Sequence, residues 1–98
     1  MPKFIDHHGK VPRLLPATWD EFRKDIKRGT KDQFGVVHLN MFPVGDDGEA
    51  WCINEAPNET AVLRMHEGWA FPLTKDDVQE ATPEELSKLE ALGLKSLA

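Results

Sequence analysis

Residues 36–55 carry the sequence VVHLNMFPVGDDGEAWCINE, and this stretch decides the fold. Apolar and β-branched residues are concentrated in 36–42 and 49–55, on either side of a Gly-Asp-Asp-Gly sequence. Two such segments around a glycine-rich turn are typical of a β-hairpin. We therefore predict two antiparallel strands joined by a turn at 43–48.

The first hairpin strand is predicted to have two chemically different faces. Successive side chains of a strand point to opposite sides, so alternation assigns Val37, Leu39 and Met41 to one face. The polar side chains of His38 and Asn40 then share the other face.

A strand and a helix are predicted before the hairpin. Residues 3–8 are short, partly apolar and followed by a glycine, which indicates a strand, and the proline-containing stretch 9–17 indicates a loop. Thr18 and Glu21 have the spacing of a capping box, so we expect the helix to begin there. Gly29 can end it. The apolar residues of this helix follow at helical spacing: Trp19, Phe22 and Ile26.

Two helices and a short strand are predicted after the hairpin. Asn58 is a good N-cap for a helix that closes by Gly68 and Pro72. A weak strand at 77–81 is expected mainly because the pattern needs a fourth strand. The last helix spans 83–93 and follows a second capping box. Its apolar stripe consists of Leu86, Leu89 and Leu92.

The resulting order, β-α-β-β-α-β-α, predicts one α+β domain over residues 1–98. It is the ferredoxin-like βαββαβ arrangement with an additional C-terminal helix. The first and second strands are expected to be parallel, with the third antiparallel between them. Two helices then cover one face of the sheet, and a second copy of the chain can cover the other. We therefore expect a homodimer.

Composition narrows the class of function. The chain has 98 residues with a formal net charge of −5, and charged residues make up 30%. Binding a nucleic-acid backbone needs clustered Lys and Arg, so no nucleic-acid partner is expected. The chain lacks an N-terminal apolar run and any stretch able to span a membrane, and its one cysteine, Cys52, fits a reducing compartment. We therefore predict a cytoplasmic protein.

Strand direction predicts where the histidines meet. The first strand ends with Asp6, His7 and His8, and the second helix runs back toward that same end of the sheet, where it finishes near His66. Alternation puts Asp6 and His8 on one face and turns His7 away. Two imidazoles and a carboxylate suit a divalent transition metal, so we predict a metal site formed by Asp6, His8 and His66. The same groups also suit proton transfer, with a histidine as base.

Two other groups are weaker candidates. His38 and Glu55 are expected near the opposite end of the sheet and form a second possible site. Cys52 is expected to be a buried, inert thiol, because it lies in the middle of its strand and away from both ends.

Several short sequence motifs resemble those of a small bacterial family of largely unknown function, which is described through a nickel-binding member. The motifs are Phe-Ile-Asp-His-His-Gly at 4–9, Trp-Cys-Ile-Asn-Glu-Ala-Pro at 51–57, Met-His-Glu at 65–67 and Asp-Val-Gln-Glu at 77–80. The resemblance spans roughly residues 3–81 and implies a ferredoxin-like fold, dimerisation and nickel binding. It falls on the same Asp6, His8 and His66. It implies no reaction, and the helix at 83–93 lies outside it.

Three hypotheses on function follow. The first is a small metal-binding protein with nickel as the favoured ion and a role in metal homeostasis. The second is a dimeric enzyme or small-ligand binder that uses His8 or His38 beside a cavity at the open sheet face, lined by Phe42, Trp51 and Ile53. The third is an interaction module, in which the leucine stripe of the last helix docks on another protein.

Overall fold

The structure, a computed structural model, describes residues 1–9, 15–43, 49–67 and 73–91. Its elements occur in the predicted order, with a single 3₁₀ turn, Lys75–Asp77, before the last strand. They are β1 (Lys3–His8), α1 (Pro16–Arg28), β2 (Val37–Pro43), β3 (Ala50–Glu55), α2 (Glu59–His66), β4 (Val78–Glu80) and α3 (Pro83–Ala91).

The four strands form one sheet in the order β2-β3-β1-β4, and every neighbouring pair is antiparallel. β1 and β2 therefore run in the same direction with β3 between them, which confirms the predicted strand directions. This α+β arrangement is compatible with a ferredoxin-like fold. The register aligns one row across the sheet, in which Met41, Cys52, Asp6 and Val78 are successive neighbours.

Helix α1 begins earlier than the sequence predicts. Thr18 is not its cap: the backbone N–H of Thr18 already donates to the Leu15 carbonyl, so Thr18 lies in the first turn. Leu15 is the N-cap residue, and Pro16 occupies the first turn, where its fixed φ suits the helix and its missing N–H is not needed. The predicted end is confirmed at Gly29, which adopts a left-handed conformation with φ of 62°.

Helix α2 brings His66 to its position. The side chain of Asn58 accepts a hydrogen bond of 2.9 Å from the Ala61 N–H, which confirms the predicted cap. The helix then packs through Ala61 and Val62 against the sheet and ends at His66. The predicted stop signals Gly68 and Pro72 lie outside the described residues, as do most of the hairpin turn at 43–48 and Leu92 of the last helix.

A β-bulge changes the predicted faces of β2. The register of β2 on β3 shifts between His38 and Asn40, so strict alternation does not continue through Leu39. Met41 packs with Ile26 of α1, whereas Leu39 packs on the opposite side of the sheet with Phe42. The prediction that Val37, Leu39 and Met41 share one face is therefore wrong.

The sheet has an inner face toward α1 and α2 and an outer face toward α3. On the inner face, Trp19 and Phe22 pack with Ile26, as their helical spacing predicts. On the outer face, Leu89 is buried and Leu86 packs beside it, against a set of apolar strand residues: Ile5, Phe42 and Ile53. The leucine stripe of α3 is thus folded against its own sheet, which counts against the interaction-module hypothesis.

In the described portion of the chain, no helix combines the length and apolar character needed to cross a membrane.

Candidate metal centre

Asp6 lies at the centre of the inner face. It occupies the fourth position of β1, where the register places Cys52 of β3 directly beside it, and its side chain is fully buried. The Asn54 amide donates a hydrogen bond of 2.6 Å to one carboxylate oxygen, Oδ2. This bond leaves the other oxygen, Oδ1, to face the histidines.

Two imidazoles approach Asp6 Oδ1 from different elements. Nε2 of His8, two residues along β1, lies 2.9 Å away, and Nε2 of His66, at the end of α2, lies 3.7 Å away. The two rings are tilted by 44° with their centroids 5.2 Å apart. The structure therefore brings together the three residues that strand direction selected, although they lie in the interior of the domain rather than at the edge of the sheet.

His66 is held in one orientation by the helix that carries it. Its Nδ1 lies 2.8 Å from the Val62 carbonyl oxygen, one helical turn earlier. A carbonyl only accepts, so Nδ1 carries the proton and the lone pair of the neutral ring is on Nε2, toward Asp6. Burial lowers the pKa of His66, an effect that the nearby Asp6 carboxylate opposes. A neutral ring fixed by a backbone carbonyl is the usual state of a histidine that binds a metal.

Cys52 is the member of the cluster that the sequence analysis missed. It is fully buried beside Asp6, and burial raises its pKa well above the usual value, with further contributions from the charge of Asp6 and a hydrogen bond to it. The interpretation of Cys52 as an inert thiol away from the site assumed that the ligands gather at a sheet edge. The observed register of β1 on β3 corrects this interpretation, because it places Asp6 and Cys52 at matching depths in adjacent strands.

The four side chains offer one ligand set. One ligand atom from each of Asp6, His8, Cys52 and His66 can be chosen such that all four lie within 4.8 Å of one another. A tetrahedral ion with bonds of about 2.0–2.3 Å separates its ligand atoms by about 3.3–3.8 Å. Modest side-chain movement therefore allows this group to hold a metal ion.

The second predicted site, His38 with Glu55, is not formed. The register pairs His38 with Asn54, so the adjacent Glu55 points to the opposite face of the sheet. His38 is instead buried on the inner face, with Nδ1 3.9 Å from Asp25 Oδ2. Burial lowers the pKa of His38, while the charges of Asp6 and Asp25 act to raise it.

His7 points away from the cluster, as alternation predicts. Its ring stacks on Trp51 with centroids 4.2 Å apart, and its Nε2 lies 3.0 Å from the Glu49 carboxylate. His7 is thus a histidine of the same strand that belongs to the outer face.

The alternative of a small-ligand binder or enzyme gains no support from this geometry. A cavity of about 250 Å³ does exist on the outer face, lined by Ile5, Trp51, Gln79, Glu85, Lys88 and Leu89. However, the two histidines proposed as bases, His8 and His38, are buried on the inner face. The sheet separates them from that cavity.

The sequence matches no protein-family model, and no curated protein or solved structure matches it. The resemblance to a nickel-binding family, the homodimer and the cytoplasmic location therefore stay predictions.

Proposed function

We propose that this protein binds one divalent transition metal ion at the Asp6–His8–Cys52–His66 cluster. His8 and His66 supply imidazole nitrogens, Asp6 a carboxylate oxygen and Cys52 a sulfur. The role that follows is metal binding or homeostasis rather than catalysis.

The burial of Asp6 is the observation that carries the proposal. A buried carboxylate is strongly disfavoured unless it is paired with a cation or coordinates a metal. Among the described residues, no Lys or Arg forms an ion pair with Asp6, and its neighbours are instead two imidazoles, a thiol and one amide. A divalent cation would neutralise the carboxylate and use the lone pairs of the other three groups.

Nickel and zinc are the two ions to compare. Nickel is favoured by the resemblance of the sequence motifs. Zinc is favoured by the ligand set, because a closed group of nitrogen, sulfur and one carboxylate suits tetrahedral coordination, whereas nickel prefers square-planar or tetragonal sites. Calcium and magnesium are not candidates, since these hard ions prefer all-oxygen sites.

Titration of untagged protein with nickel, zinc and cobalt, monitored by calorimetry, tests the proposal. A histidine tag would bind the same ions, so it must be removed first. We expect a 1:1 complex with at least one ion at a dissociation constant below high micromolar. Competition between nickel and zinc then gives the preferred ion.

Cobalt reports on geometry and on sulfur ligation. A tetrahedral site gives intense visible bands, and a thiolate ligand adds charge-transfer absorption in the near ultraviolet. The Cys52→Ser variant should lose the second signal. Failure of the wild-type protein to bind any of the three ions would refute the proposed function.

A further inference from the structure

A buried centre needs a route by which an ion reaches it. A cavity of about 70 Å³ lies between α1, the connection that follows it, the beginning of β2 and the end of α2. A single water needs roughly 10–15 Å³ of space accessible to it, so the cavity is large enough for a partly hydrated ion. Its lining residues are Asp25, Thr30, Lys31, Asp32, Val36, His38 and Met65.

His38 connects this cavity with the cluster. It lines the cavity, yet its side chain is only 3% exposed, and its ring feels the charges of both Asp6 and His66. The strand register explains why His38 lies near Asp6. It pairs His38 with Asn54, and the side-chain amide of Asn54 is hydrogen-bonded to Asp6. His38 therefore lines the cavity and neighbours Asn54, the residue bonded to Asp6, without belonging to the four-residue set.

Asp25 lies at the solvent-exposed end of the same cavity. Its side chain is 51% exposed, and its carboxylate lies 3.9 Å from His38 Nδ1. Asp32 adds a second carboxylate to the lining, held in place because its Oδ1 accepts from the Phe34 and Val36 N–H groups. Lys31 compensates one of these two negative charges. The entrance of the cavity therefore keeps a net negative charge, which attracts cations.

We infer that this cavity is the access route of the metal ion, with Asp25 capturing a hydrated divalent cation and His38 relaying it to Asp6 and His66. The inference rests on the proposed metal-binding function. Asp25 and His38 act on the path only, so they change how fast the ion enters and leaves and not where it finally rests.

The test is a stopped-flow measurement of zinc or nickel uptake, and of release to a chelator, on the untagged full chain. A group on the path lowers the barrier for both directions, so His38→Gln should slow uptake and release together by about tenfold, with the dissociation constant within about threefold of wild type. Asp25→Asn should slow uptake and weaken its dependence on ionic strength.

Asp20→Asn is the matched control. It removes the same charge from the same helix, but Asp20 is exposed, pairs with Arg23 and does not line the cavity. Its rates should equal those of wild type.

The possible results separate the two proposals. Intact affinity with unchanged rates in His38→Gln overturns the access route and leaves the metal site standing. A lower affinity with unchanged uptake makes His38 a resident ligand and also overturns it. Absence of binding in the wild-type protein removes both proposals.

Discussion

Both faces of the sheet bury apolar side chains, but among the described residues the buried polar groups all lie on the inner face. In β1, Ile5 and His7 point outward while Asp6 and His8 point inward. Apolar side chains cover the outer face, chiefly that of Leu89 of α3. The inner face buries a carboxyl group, three imidazoles and a thiol at the place where a hydrophobic core is normally most apolar.

This difference separates apolar packing, which stabilises the fold by itself, from a polar cluster that needs partners. Burial of apolar side chains is favourable by itself, so the outer face stabilises the fold without a ligand. Burial of polar groups is unfavourable unless each has a partner, so the inner face gains stability from whatever satisfies it. We therefore expect substitutions, metal ions and pH to affect the two faces differently.

Replacing the Asp6 carboxylate should have the largest effect on metal affinity. Asp6→Asn keeps the shape of the side chain and an oxygen for the Asn54 amide, but it removes the charged ligand. Loss of groups that merely support a ligand lowers metal affinity by about 10–100-fold, so we expect a loss of at least about 100-fold here. Titration against a competing chelator measures it, with circular dichroism to verify folding.

His7→Gln provides the matched control for that measurement. It lies next to Asp6 in the same strand, but its ring stacks on Trp51 at the outer face. Its metal affinity should equal that of wild type. Equal losses in the two variants would contradict the assignment of the proposed metal site to the inner face.

On the outer face, Leu89→Ala should lower stability and leave metal binding unchanged. Leu89 is 6% exposed and packs with Ile5, Phe42 and Ile53. Removing a buried leucine side chain costs about 2–3 kcal/mol when the site partly relaxes. Urea unfolding measures the loss, and Ser87→Ala, on the exposed side of α3, should change stability little. A change in metal affinity in Leu89→Ala would contradict the separation of the faces.

Strand order and direction were predictable because they depend on long-range patterns of apolar residues and turn signals. The same reasoning placed Asp6, His8 and His66 together, since a strand and a returning helix fix the ends that meet. The position of a residue along its strand, relative to residues on neighbouring strands, was harder to predict. Cys52 was missed because its distance from Asp6 depends on the register of β1 on β3, which the hairpin sequence does not specify.

Two local features of the fold also differ from the sequence-based prediction. The bulge at Leu39 is a one-residue insertion in the pairing, and neither glycine nor proline marks it, so alternation wrongly assigned Met41 to the same face as Leu39. The beginning of α1 was misplaced for a related reason. Thr18 and Glu21 have capping spacing, but Pro16 suits the first helical turn and moves the cap to Leu15.

Metal affinity should depend on pH through Cys52. Because the pKa of this thiol is raised well above its usual value, the thiol carries its proton at neutral pH and must release it to bind a metal. Affinity should therefore rise with pH, and Cys52→Ala should lower that slope by one proton, a factor of about ten per pH unit, or about 1.4 kcal/mol. Calorimetry in buffers of different ionisation enthalpy measures the protons released. Equal proton release in both proteins would exclude Cys52 as a ligand.

The metal-free protein should lose stability in mild acid because of the inner face. Burial lowers the pKa values of His38 and His66 below about 6.5, so below that pH the unfolded chain binds more protons than the folded one. The free energy of unfolding then rises with pH, and it falls as the pH drops from about 6.5 toward the lower folded-state values, by at most about 1.4 kcal/mol per pH unit for each group. Urea unfolding between pH 7 and pH 5 (roughly the range in which histidine titrates) measures this slope. His38→Gln should make it shallower, whereas an identical slope in that variant would show that His38 binds its proton equally well in both states.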